Sequence, residues 1–313
     1  RLWTRRYSSG NGSDVPWGMV IDHHGSVVVV GQRAASGGYD GAVVKWSSSG
    51  VLKWKRVIRA AGKDLFKAVA VDANDNVYVS GQLGLDRPAF ARASVRSYTP
   101  AGALRWTAGA RDTVRDVTYA YLVVKGSGVY VAGQAGSGQH GAELIAAKYT
   151  VSGQRAWSGV KERAYAGGGS ARGLAVNRDG AAVVVGVAYA EGGSGEDTGA
   201  VWKLSPTGVT AWHHEFSNPA WALDGEFDAV GIDSKNHIYA AGGSYVSGGK
   251  GNLLMVRYSS GGAEEALWRS DGQQSGYCAF SDVLVLSDSV VLAAGQVAGN
   301  GANAGVYRAK TTP

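Results

Sequence analysis

Asp228 and Asp282 are the best candidates in this sequence for acid–base chemistry, because each lies at the start of a short apolar run, at the same place in a repeated pattern. Two carboxylates can hydrolyse a glycosidic bond: a separation of about 5 Å favours retention of configuration and about 6.5–9.5 Å favours inversion. Tyr119 and Arg172 offer a second chemistry, that of a polysaccharide lyase, in which the arginine neutralises the carboxylate of a uronic acid. No catalytic motif surrounds either pair, so no catalytic residue is assigned from the sequence.

The same place in the pattern carries a different kind of side chain in each copy. If the strands that hold it surround a central channel, six side chains line its mouth: Trp17, Lys67, Tyr119, Arg172, Asp228 and Asp282. Trp221 and Tyr277 lie in loops expected beside them. A sugar ring can stack on aromatic faces while its hydroxyls bind charged groups, so these eight residues are the predicted ligand contacts. The alternative is a row that only lines solvent.

Three markers recur in step along the chain and define the repeat that positions this row. A glycine stands four residues before a tryptophan, a valine- or alanine-rich stretch ends in glycine, and a basic residue comes shortly before the first of these glycines. The tryptophans are Trp54, Trp106, Trp157 and Trp212, with a looser copy at Trp268 (after Gly262) and Trp3 at the start without its glycine. The stretch-ending glycines are Gly31, Gly81, Gly133, Gly186, Gly242 and Gly295. The chain therefore consists of six repeats of about 50 residues.

Each repeat is predicted to form four strands. In the first repeat, apolar runs near 17–21, 27–32, 41–47 and 51–57 are separated by turns rich in Gly, Asp and Ser. No segment has a sustained period of 3.6 residues, so essentially no helix is expected. Four-stranded units of this length are typical blades of a β-propeller. We predict an all-β fold, a six-bladed β-propeller of four-stranded antiparallel blades in one domain over residues 1–313; a truncated seven-bladed ring is the alternative.

The two ends of the chain predict how the ring closes. The last repeat has no tryptophan strand of its own, and the first residues, which include Trp3, supply one. Strand 2–7 should therefore complete the sixth blade. A closed ring leaves no sheet edge to pair with another chain, so a monomer is expected.

The composition excludes several classes of protein. Hydrophobic residues make up 45% of the chain, which excludes disorder, and no apolar stretch approaches the 18 residues of a membrane span. The formal net charge of +6 is spread along the chain rather than gathered into a patch, so no nucleic-acid partner is expected. Cys278 is the one cysteine, which excludes an intramolecular disulfide.

Clusters with the residue types of a metal site are better explained by turns and strands. The segment Asp72–Asn76 resembles a calcium loop, but the position of the bidentate glutamate holds leucine. His213 and His214 are neighbours on a strand and point to opposite faces, while His23 and His24 lie in a turn. We predict no metal site and no cofactor.

Four segments together resemble the bacterial β-propeller repeat called SBBP: Tyr39–Trp46 (YDGAVVKW), Gly50–Trp54 (GVLKW), Ala68–Asp72 and Asn76–Gly81. The likeness covers the whole chain, most closely in the first two repeats and most loosely in the sixth. It implies a bacterial propeller that is exported or attached to the cell surface. It implies no single activity, because the family is named for its repeat.

Two functions from different classes are compatible with these observations. A non-enzymatic binding or scaffold propeller, with a saccharide or protein ligand at the channel mouth, is favoured because no catalytic motif stands out from the repeat. The alternative is a carbohydrate-active enzyme, either a glycoside hydrolase or a polysaccharide lyase. An extracellular or cell-surface location is expected in both cases.

Overall fold

The computed structural model describes residues 3–10, 12–60, 62–85, 91–111, 116–136, 142–162, 169–188, 197–216, 225–246, 250–270, 278–297 and 303–310. This part of the chain forms 23 strands and no helix, which confirms the all-β prediction. It contains no helix that is long and apolar enough to span a membrane. The chain divides into two compact units, residues 1–137 with 145–159 and residues 138–144 with 160–313.

The first unit contains two antiparallel sheets and most of a third, each built from four consecutive strands. The first sheet is β1 (Val15–Ile21), β2 (Val27–Ala35), β3 (Gly38–Trp46) and β4 (Leu52–Ile58). The second is β5 (Lys63–Val71), β6 (Val77–Leu85), β7 (Arg92–Tyr98) and β8 (Leu104–Ala110). The third is β9 (Val117–Lys125), β10 (Gly128–Ala135), β11 (Glu143–Thr150) and β12 (Arg155–Glu162).

The second unit contains the other three sheets. The fourth sheet is β13 (Gly169–Val176), β14 (Ala182–Ala188), β15 (Thr198–Leu204) and β16 (Thr210–Phe216). The fifth is β17 (Gly225–Ile232), β18 (Ile238–Val246), β19 (Lys250–Tyr258) and β20 (Glu264–Arg269). The sixth is β21 (Ala279–Ser287), β22 (Val290–Val297) and β23 (Asn303–Lys310).

Six consecutive antiparallel sheets correspond to the six predicted repeats and have the number and strand order of a six-bladed β-propeller. The sixth sheet has three strands within the described ranges. Residues 3–7, expected as its fourth strand, are not in a strand. The side chain of Trp3 nevertheless packs on a hairpin, at Gly50 and Ser48, as the repeated tryptophans of other sheets do.

The repeated tryptophan of one sheet packs on the hairpin of the next sheet. The indole of Trp54 covers Gly102, and its Nε1–H donates to the carbonyl of Pro100 at 2.9 Å. A Cβ atom on Gly102 would lie 2.7 Å from that indole, and its backbone has a φ of +84°, so both the turn and the ring require glycine there. Trp106 and Trp212 make the same contact with later hairpins, and Trp3 makes it with the hairpin of the first sheet, at Gly50 and Ser48.

The apolar core of each unit lies between neighbouring sheets, where the first strand of one sheet packs across the sheet before it. In the first unit, Phe66 on β5 lies against Val28 and Val43, and all three are fully buried. In the second, Phe227 on β17 lies in the same way against Val183 and Val201. The first strands are therefore fixed on both sides, which gives the residues that they carry a rigid base.

Candidate functional site

The first strand of every sheet carries, beside the glycine of the second strand, a residue that has no partner on that strand. In the first sheet, Pro16 pairs with Gly31 and Gly18 pairs with Val30, so Trp17 between them is an unpaired bulge. The corresponding register shift occurs in all six sheets. We call these unpaired residues the bulge row: Trp17, Lys67, Ala120, Arg172, Asp228 and Ser281. A bulge redirects a side chain away from the regular alternation of a sheet, and bulges are over-represented beside functional sites.

The glycine that ends each valine- or alanine-rich stretch lies within the second strand, beside the bulge, and the bulge explains why it is glycine. A Cβ atom on Gly81 would lie 2.1 Å from the carbonyl oxygen of Leu65, and one on Gly186 would lie 1.9 Å from that of Ser170. No side chain fits at such a distance. The sequence marker therefore records the close approach of the two strands at the bulge.

The strand register corrects the sequence alignment in two of the six sheets. Tyr119, which the alignment assigned to the row, pairs with Gly133, so the unpaired residue of β9 is Ala120. Asp282 pairs with Ala294, so the unpaired residue of β21 is Ser281. The other four assignments agree with the register.

The correction changes the chemistry that Tyr119 can perform. Its side chain is 2% exposed and packs in the core between the second and third sheets. Burial raises the pKa of its hydroxyl well above the usual value, and the hydroxyl of Tyr149 nearby adds to the effect. Tyr119 is therefore a buried core residue, and the structure gives no support to the expected lyase pair of Tyr119 with Arg172.

In the first unit, the bulge row brings an aromatic ring and a cation together. The Nζ of Lys67 lies over the indole of Trp17, 5.3 Å from the ring centre. The indole is 51% exposed, and its Nε1–H points at the amide oxygen of Gln32 at 3.4 Å. Burial lowers the pKa of Lys67. Trp17 and Gln32 also line a cavity of about 630 Å³, whose charged residues are Arg5, Arg6 and Asp14.

In the second unit, the bulge row holds a cation between two carboxylates. One guanidinium nitrogen, Nη1 of Arg172, lies 3.0 Å from Oδ1 of Asp228 and 2.9 Å from Oε2 of Glu226. The two carboxylate oxygens can therefore be no further apart than the sum of these two distances. Both carboxylates are mostly buried, and Arg172 is about one-third exposed. These three side chains form an ion-pair network.

A separate cluster lies where the first turns of the first two sheets meet. Asp75, whose backbone has a φ of 57°, accepts hydrogen bonds from His23 at 2.7 Å and His24 at 2.5 Å. The backbone N–H of His23 also donates to it and, with both rings, lowers the pKa of Asp75 to about 2. With Asp22, the His24–Asp75 pair could hold a metal ion, but the Nζ of Lys45 already lies 2.7 Å from Asp22.

The remaining predicted contacts are two loop residues and Asp282. Trp221 and Tyr277 lie outside the described residues. Asp282 is exposed on β21, and one of its oxygens accepts the backbone N–H of Val283 at 2.8 Å. The expected acid–base pair of Asp228 with Asp282 gains no support, because the described carboxylate beside Asp228 is Glu226 on its own strand.

Comparison with known protein families and with curated proteins finds no match. Solved structures do match over most of the chain. An α-L-arabinofuranosidase from Fusarium graminearum in complex with an iminosugar inhibitor is 11% identical, with a TM-score of 0.52 over 94% of this chain and 92% of that one. Sqt1 from Chaetomium thermophilum is 9% identical, with a TM-score of 0.48 over 95% and 86%. The first likeness supports the propeller fold and, at this identity, only the fold.

Proposed function

We propose that the protein is a non-enzymatic binding module and that its ligand, a saccharide, contacts Trp17. The observation that carries the proposal is the half-exposed indole of Trp17, which lies beside the amide group of Gln32 in the lining of a cavity. Trp17 is held by a bulge rather than by strand pairing, and it lines the large cavity of the first unit. Aromatic faces next to hydrogen-bonding groups suit the apolar face and the hydroxyls of a sugar.

Two further features of this proposal rest on resemblance. The likeness to SBBP repeats supports a bacterial protein that is exported or held at the cell surface. The sugar-like inhibitor belongs to the arabinofuranosidase, and its presence there is a fold-level analogy that adds little weight.

Binding is tested by calorimetric titration with a panel of neutral and acidic oligosaccharides. Trp17→Ala should weaken the best ligand more than tenfold, because the indole supplies most of the contact area. Ile21→Ala is the matched control: Ile21 is an exposed apolar residue on the same strand but does not line the cavity. If no saccharide binds, or if Trp17→Ala binds as tightly as the wild type, the proposal is wrong.

A carbohydrate-active enzyme is the second candidate, and the Arg172 cluster is the observation that favours it. The bound on the separation of the Glu226 and Asp228 oxygens includes the spacing of about 5 Å found in retaining glycosidases. The ion pairs argue against it, because the Arg172 guanidinium already contacts both carboxylates, whereas a catalytic acid and base must contact the substrate. Release of new reducing ends by the wild type, abolished by Asp228→Asn, would establish this function instead.

A further inference from the structure

Lys67 is a cation that no carboxylate neutralises within the described part of the chain. The Lys67 side chain is partly buried, and its Nζ lies over the face of the Trp17 indole. Lys45 shows the usual arrangement for comparison: it is also buried, but its Nζ lies 2.7 Å from a carboxylate oxygen of Asp22. A half-buried ammonium group is destabilising without a partner, so an anion that reached Lys67 would gain a strong interaction.

The cavity beside Trp17 has the same sign of charge. Its lining carries two arginines and one aspartate. The guanidinium of Arg5 donates to two backbone carbonyls, at Gly50 and Thr4, rather than to a carboxylate. Both oxygens of Asp14 accept backbone N–H groups, from Ser9 and Ala34, so this carboxylate does not neutralise the arginines through an ion pair. The charged groups around the indole therefore favour an anionic ligand.

We propose that the ligand of the first unit is an acidic saccharide that contains uronic acid, with its sugar ring on Trp17 and its carboxylate on Lys67. This inference rests on the proposed binding function and names the class of ligand. The geometry suits it because a pyranose carboxylate projects from the edge of the ring. The Nζ of Lys67 lies over one face of the Trp17 indole, and it can meet that carboxylate without displacing a carboxylate of the described chain.

The test uses two ligands that differ only in charge: oligogalacturonate and the same oligomer with its carboxylates methyl-esterified. We expect oligogalacturonate to bind at least tenfold more tightly, and its affinity to fall as the salt concentration rises. Lys67→Met should abolish the difference between the two ligands. Lys63→Met is the matched control, because Lys63 lies on the same strand and over another ring, that of Tyr39, at 5.9 Å; it should keep the difference.

The outcomes separate this inference from the proposed function. If both oligomers bind equally, or if only neutral saccharides of the panel bind, the binding function stands and the acidic ligand is wrong. If no saccharide binds, both are wrong. If Lys67→Met and Lys63→Met lose the charge preference to the same degree, a diffuse positive field rather than Lys67 is responsible, and the assigned contact is overturned. A thermal melt of each variant verifies that it is folded.

Discussion

The bulge row differs between the two units in how its cation is held. In the first unit, Lys67 lies over the half-exposed ring of Trp17 with no carboxylate partner in the described chain. In the second, Arg172 lies between Glu226 and Asp228. The backbone is the same in both cases, a single unpaired residue opposite a glycine. The bulge therefore fixes the position of a side chain but not its chemistry. The second unit can use this position for stability, and the first can keep it open for a ligand.

The largest expected effect tests the shared backbone. Gly81→Ala in the first unit and Gly186→Ala in the second should each lower the free energy of unfolding by about 3 kcal/mol or more, because the new Cβ atom meets a carbonyl oxygen. Gly225→Ala, where the nearest atom would be 3.6 Å away, should change it by less than about 1 kcal/mol. Urea denaturation measures all three. A mild effect of Gly81→Ala or Gly186→Ala would show that the two strands can separate at the bulge.

The next prediction tests the stabilising half of the comparison. Arg172→Met leaves Glu226 and Asp228 without their shared cation, and it should lower the free energy of unfolding at pH 7 by about 2 kcal/mol, reduced from the fully buried case by partial exposure. Adding Asp228→Asn to this variant should recover part of the loss, because one charge of the repelling pair is removed. Equal stability of the wild type and Arg172→Met would mean that solvent already screens the cluster.

Lys67→Met should change the free energy of unfolding less than Arg172→Met does, with a change that is near zero or of opposite sign. The substitution removes a cation–π contact of about 0.5–1 kcal/mol but also removes an unpaired, half-buried charge. We expect the free energy of unfolding to stay within about 0.5 kcal/mol of the wild type or to rise. A loss as large as that of Arg172→Met would show that Lys67 has a structural partner, and the contrast between the units would disappear.

The smallest effect is a pH dependence. Burial lowers the pKa of Lys67 in the folded state below the ordinary 10.5, so between the two values the unfolded chain binds more protons. Stability contributed by this group therefore rises with pH in that window. The tyrosines that are buried in the folded state ionise near pH 10 once the chain unfolds and also change the stability in this range. The measured quantity is therefore the difference between the wild type and Lys67→Met in urea midpoints from pH 8 to 10.5. A constant difference would contradict the lowered pKa.

Much of the fold could be predicted from the sequence because its geometry needs particular residues in every copy. A side chain at Gly81 or Gly186 would collide with a carbonyl oxygen, and one at Gly102 would collide with the Trp54 indole. The repeat is visible in the sequence because these positions require glycine. The fourth strand of the sixth sheet was predicted from Trp3, whose hairpin contact is present although residues 3–7 form no strand.

The bulge row was harder to predict because its register depends on the hairpin before the glycine. In β9 and β10, Lys125 pairs with Gly128 and leaves a two-residue loop, and the chain from the bulge to the glycine is one residue shorter than in the first sheet. In β21 and β22 a second irregularity near Leu286 restores the missing length. The shorter copy is thus the third rather than the sixth, which displaced Tyr119 and Asp282 by one residue each. The partnership of Arg172 with two carboxylates depends on contacts between sheets, which no repeat pattern encodes.

The tryptophan contact has a consequence for the order in which the chain folds. The indoles of four repeated tryptophans donate to a carbonyl that lies 45 to 48 residues further along the chain: Trp3, Trp54, Trp106 and Trp212. While the protein is being synthesised, the tryptophan on the last strand of a blade therefore has no hairpin to pack on until the following repeat has emerged. Each new repeat locks the one before it, so native structure can propagate from repeat to neighbouring repeat along the growing chain.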